Sequence, residues 1–122
     1  MAYPDLEEVR KQYSALRDLV IRNPGGWNDV ASRERVVHLC DRAIEALDDT
    51  ECTQQLRRVQ SQAAALYSEE EHAKWQRKSM TGADYLRLQI LIALEVVNTR
   101  LFMIDALRNR AATAAEQARR TL

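Results

Sequence analysis

Four side chains of this sequence have the chemistry of metal ligands, bases or nucleophiles near neutral pH: His38, His72, Cys40 and Cys52. Glu69 and His72 stand in Glu-x-x-His spacing, which sets a carboxylate and an imidazole on one helical face, as carboxylate-bridged di-metal sites require. Such a site needs a second motif of this kind and two further glutamates. His38 has no glutamate three residues before it, and the C-terminal third offers only Glu95 and Glu116, so neither metal nor any other cofactor is expected. Cys40 follows His38 by two residues, and side chains two apart on a helix diverge, so they do not form a nucleophile and its base. The cysteines lie twelve apart with no Cys-x-x-Cys, too few for a disulfide framework or a thiolate cage, and read as reduced core side chains of a cytoplasmic protein. The glycine-rich phosphate loops, Gly-x-Ser-x-Gly and His-Glu-x-x-His are all missing. The sequence therefore makes no positive case for an enzyme.

One short run carries a competing reading. In Arg33-Glu34-Arg35-Val36-Val37-His38, the plain interpretation sets His38 beside the core face of a helix and leaves Arg33 and Arg35 as surface charges. The same Arg-x4-His spacing is similar to the motif of HEPN ribonucleases, small all-helical domains that pair to bring two such motifs together and cut RNA without metal. Over these six residues the resemblance implies an alternative function, a dimeric ribonuclease with Arg33 and His38 in the site.

Lysine plus arginine total 18 and aspartate plus glutamate 18, so the overall charge does not point to nucleic acid or an anionic membrane. The C-terminal tail is locally basic, with Arg108, Arg110, Arg119 and Arg120 against Glu116, which makes a nucleic-acid binder a further alternative. Trp27 follows a double glycine and Trp75 sits among Lys74, Arg77 and Lys78. Each is expected to close one end of a core, and each is also a candidate anchor in a protein interface. Glu69, Glu70 and Glu71 would repel a phosphate backbone from the Trp75 segment.

The elements that position these residues are helices. The sequence is 46% hydrophobic and 30% charged with three glycines and two prolines, a helix-forming composition with enough apolar material for one core in 122 residues. A first helix over 4–22 carries Leu6, Val9, Tyr13, Leu16 and Val20 at spacings of three and four, and Asn23-Pro24-Gly25-Gly26 ends it. A second, over 28–48, starts at an Asn28 or Asp29 cap and turns inward Val30, Val37, Cys40, Ile44 and Leu47, widened by Val36, Leu39 and Ala43. Thr50 caps a third helix over 51–78, whose seam is Cys52, Leu56, Val59, Ala63 and Leu66; beyond it Glu70 takes the next seam position and an exposed extension follows. Thr81-Gly82-Ala83-Asp84 reads as a capping box opening a fourth helix over 82–120. The expected architecture is one all-α domain over 1–122, a four-helix, mostly antiparallel bundle with a long C-terminal helix.

That last helix is the unusual one. Apolar residues occupy about two thirds of its circumference, which marks a helix that is central to its own domain or shared between two chains. Leu91 and Phe102, eleven residues apart, fall nearly in line on the side otherwise marked by Arg87, Asn98 and Asp105, with Leu94 close enough to join them in one contact patch. The expected function is a non-catalytic helical protein-binding module, such as an adaptor, small chaperone or inhibitor of another protein machine. Its expected partner is a protein, with a homodimer the simplest case. The N-terminus has no signal-like apolar run, and charges interrupt the stretch from Leu86 to Leu107, so no membrane partner is expected.

Overall fold

A computed structural model describes residues 6–22 and 29–121, which form five helices: α1 Leu6–Arg22, α2 Val30–Leu47, α3 Thr50–Leu66, α4 Glu69–Ala73 and α5 Gly82–Thr121. The fold is all-α, and the long helices α1, α2, α3 and α5 form a ring in which each packs against its two neighbours. Ion pairs fix the directions. Glu8 at the start of α1 holds Arg42 near the end of α2 at 2.8 Å, while Arg10 reaches Asp105 at 3.2 Å and Tyr13 reaches Glu95 at 3.0 Å, so α1 runs antiparallel to both α2 and α5.

The turn between α2 and α3 is made by two aspartates with different tasks. Asp48 ends α2 in the left-handed conformation, φ 49°, and donates its backbone N–H to the carbonyl of Ile44; aspartate is among the few non-glycine residues that tolerate this region. Asp49 then caps α3, its carboxylate accepting the N–H of Cys52 at 3.1 Å. The expected cap, Thr50, is instead the first helical residue, because the carboxylate one position earlier reaches the orphan amide. Asp29 caps α2, accepting from Ala31 and Ser32 backbone amides at 3.1 and 3.3 Å and from the Ser32 hydroxyl at 2.6 Å.

The third helix is shorter than its pattern implies. It stops at Leu66, not near Lys78, and Tyr67 turns its ring into the core. A straight continuation would carry Glu70 into the seam; breaking at Tyr67 and restarting at Ser68 leaves Glu69, Glu70 and Glu71 in solvent on the short α4. His72 fastens the break, its Nδ1 lying 2.9 Å from the carbonyl oxygen of Leu66, an acceptor that requires Nδ1 to carry the proton. The chain then reverses through a small turn closed by Arg77 and Met80, whose backbones exchange hydrogen bonds of 2.9 and 3.4 Å. Gly82 lets α5 start against this turn, since a Cβ there would overlap the carbonyl oxygen of His72. Thr81 accepts the N–H of Asp84 at 3.2 Å, as a capping residue should, whereas the Asp84 carboxylate lies 3.6 Å from Arg87.

The core draws on all four long helices. The α3 seam is buried at all five expected positions, from Cys52 to Leu66. In α2 the buried set is Val36, Leu39, Cys40, Ala43 and Leu47, while Val30 and Val37 are exposed. The helix is rotated from its expected seam because this face meets α1 and α3 together. In α1 Gln12 is buried instead of Tyr13, and its amide donates to Glu8 at 2.7 Å.

Candidate interaction face

Helix α5 contributes Leu86, Ile90, Ala93, Leu94, Val97 and Leu101 to the core. These six fall within about 100° of arc at 100° per residue, the side wedged between α1 and α3. On roughly the opposite side stand Leu88, Ile92 and Met103, all exposed, with half-buried Val96 and exposed Leu107 on one flank. Ile92 and Met103 each leave 51% of their surface open, and Phe102, at the edge of the same face, leaves 65%. Aliphatic side chains standing on both sides of Thr99 enclose a shallow groove of about 530 Å³, with Glu51, Glu95 and Arg100 on its rim. Beyond Arg108 every described residue of α5 is exposed, so the last turns of the helix extend past the bundle.

The rim charges are held by their own chain. Arg100 donates from Nε and Nη2 to the Asp49 carboxylate at 3.2 and 3.0 Å, a forked contact that ties α5 to the start of α3. The guanidinium holds the Asp49 carboxyl below the ordinary carboxylate range, and the Cys52 amide acts in the same direction. Glu95 accepts the phenolic hydrogen of Tyr13, so its position is set from α1.

One expected contact residue lies elsewhere: Leu94 is only 1% exposed and belongs to the core, while Leu91 is half-buried against the core and also lines the groove. The line through Leu91, Leu94 and Phe102 follows the side of α5 that α1 approaches, as Arg10–Asp105 and Tyr13–Glu95 record, and passes from the groove at Leu91 through the core at Leu94 to open surface at Phe102. Phe102 alone of the three is exposed. Trp75 is 40% exposed and stacks on Tyr85 with ring centroids 5.9 Å apart and planes 15° from parallel, while the Arg77 guanidinium lies 4.3 Å from the Tyr85 centroid. This stack clamps the reversing turn onto the start of α5. Trp27 lies outside the described residues.

The chemistry-bearing side chains are scattered. His38 is exposed on α2 and Cys40 is buried, so they face different surroundings, and Arg33 is half-buried one turn earlier. Burial pushes both thiols up to about 12, Cys52 with additional help from Asp49, which keeps them protonated and poor as nucleophiles. Glu69 is exposed on α4 while His72 is spent on the Leu66 carbonyl. Among the described residues no group of three or more histidine, cysteine, aspartate and glutamate side chains is placed to hold a metal ion. Likewise, among these residues no helix is long and apolar enough to cross a membrane.

Sequence reasoning recognised that α5 has apolar surface to spare and named Phe102 on it, but did not single out Leu88, Ile92 and Met103 as carrying the rest. The missing signal was the spacing of Leu88, Ile92, Val96 and Met103, which was visible yet gave no way to tell it from the stripe that packs inside. No family model, no curated protein and no solved structure matches this chain.

Proposed function

We propose that this chain is a non-catalytic, cytoplasmic helical protein-binding module that works through the outward face of α5, with a second copy of the chain as its first partner. The observation that carries this reading is the row of exposed aliphatic residues on the side of α5 facing away from a core that the same helix already completes. Isolated exposed apolar residues are ordinary, but several in line on one rigid helix make a contiguous patch of the kind that marks interaction sites. The helix is held on its other side by two neighbours, so a partner meets a preformed surface and spends little free energy on ordering it. As an adaptor, small chaperone or inhibitor, the module needs no reactive group at this face. Its two free, buried thiols suit a reducing compartment.

The test is the molar mass of the purified chain by light scattering, for wild type and for Ile92→Asp with Met103→Asp. Both residues are half exposed, so the variant should keep its circular dichroism while the wild type alone self-associates. A monomeric wild type would overturn the second copy as partner. The absence of catalysis is tested separately: mixed RNA should survive incubation with the protein, and cleavage that disappears in His38→Ala with the fold intact would overturn that part of the reading.

A further inference from the structure

We infer that the second copy lies on α5 parallel and in register, as a short two-stranded coiled coil. This inference rests on the reading above and adds the orientation of the partner. Ile92, Val96, Thr99, Met103 and Ala106 follow one another at spacings of four, three, four and three, the alternation of d and a positions in a heptad seam. None of the five is buried within the chain, and Val96 alone is half covered. The seam from Ile92 to Ala106 spans about 21 Å at 1.5 Å per residue, about two heptads. That is short for free peptides, but here the bundle has already formed the helix.

The flanks decide the direction. With this register Glu95 and Phe102 occupy g positions on one side of the seam, and Arg100 and Leu107 occupy e positions on the other. When two copies run parallel, each g side chain faces the e position five residues further along the other chain. Glu95 then meets the other copy's Arg100, and Phe102 meets its Leu107, so a charge finds its opposite and the two most exposed large hydrophobic residues among those described in α5 cover each other. When the copies run antiparallel, g faces g. Glu95 would then lie against a phenyl ring and Arg100 would have no carboxylate of the other copy opposite it.

Both charged partners are pre-positioned for the parallel arrangement. Arg100 donates Nε and Nη2 to Asp49 and has Glu51 of its own chain 3.9 Å from Nε, which leaves Nη1 for a carboxylate of the other copy, and Glu95 receives Tyr13 through Oε1, which leaves Oε2. Arg110 stands at the next a position, where two like charges would meet across the axis, and this ends the seam where α5 leaves the bundle.

Single cysteines separate the possibilities. In a parallel pair Ile92→Cys faces itself, as does Met103→Cys, so each variant alone should form a disulfide-linked dimer under mild oxidation. In an antiparallel pair residue 92 of one copy lies level with residue 103 of the other, about 16 Å along the axis from its own equivalent and beyond disulfide reach, so only a mixture of the two variants would cross-link. The wild type, whose Cys40 and Cys52 are buried, is the control. Self-linked single variants are the expected result, together with a roughly fivefold weaker dimer in Glu95→Lys, read by light scattering across about 1–100 μM. A dimer that cross-links only in the mixture, or that is indifferent to Glu95→Lys, would overturn the parallel register while leaving the second copy as partner. A monomer at every concentration would overturn both.

Discussion

The inner and outer faces of α5 are built from the same kinds of residue and meet opposite surroundings. Leu86, Ile90 and Leu101 are enclosed in the core, whereas Leu88, Ile92 and Met103, each displaced by two residues and hence by about half a turn, face outward. Hydrophobicity supplies the drive to bury both, at about 25 cal/mol per Å² of apolar surface. The number of neighbours sets which one is satisfied: α2 packs against α1 and α3 but not against α5, so α5 has two long helices and the short α4 to lean on, and they leave one side open. Apolar character therefore separates core from solvent only when enough partner surface exists to use all of it.

Charge placed on each face in turn tests that contrast most severely. Leu94→Asp puts a carboxylate into a site only 1% exposed and should abolish folding or cost upwards of 3 kcal/mol, whereas Ile92→Asp should change monomer stability by no more than about 0.5 kcal/mol. Urea denaturation of the two variants measures both. Equal losses would mean that the outer face is part of the monomer core after all.

A second contrast is between Gly82 and an ordinary helical glycine. In an exposed helix interior, replacing glycine by alanine stabilises by roughly 1 kcal/mol, but here the added methyl overlaps the His72 carbonyl oxygen. Gly82→Ala should therefore destabilise, by about 1–3 kcal/mol, and release the turn at residues 74–81. Faster amide exchange in that turn, with α1 and α2 still protected, would locate the damage at the α5 end that holds Trp75 and Tyr85.

The opposite rim of the α5 face depends on Asp49. Its folded carboxyl titrates below the ordinary value because of Arg100, so the stabilisation is complete above the unfolded pKa of about 3.9 and is lost as pH falls through the lower folded value. Asp49→Asn keeps a capping oxygen but removes this ion pair, and it should lower Tm near neutral pH while flattening the fall of Tm below about pH 4. Asp49→Ala loses the cap as well and should cost about 1–2 kcal/mol. The smallest effect is expected from truncation after Asn109, which among the described residues removes only exposed ones and should leave the unfolding free energy of the monomer within about 0.5 kcal/mol.

The sequence by itself determined the all-α class, the four long helices, the complete α3 seam and the excess of apolar surface on the last helix. Those features are local or compositional: periodicity, capping residues and breakers act within a few positions of the chain. It also narrowed the α2 cap to Asn28 or Asp29 and marked Glu70 as the point where the third helix leaves its seam. Tertiary structure reinforced Asp49 over Thr50 as the cap of α3, because the Arg100 that also holds its carboxylate comes from a helix about fifty residues away. It placed the break at Tyr67, where a ring could be buried against residues from other helices. And it chose between two stripes on α5 that are indistinguishable by period and hydrophobicity. Which stripe α1 and α3 cover is set by how four helices close into a ring, a long-range condition for which no residue of α5 carries a local sign.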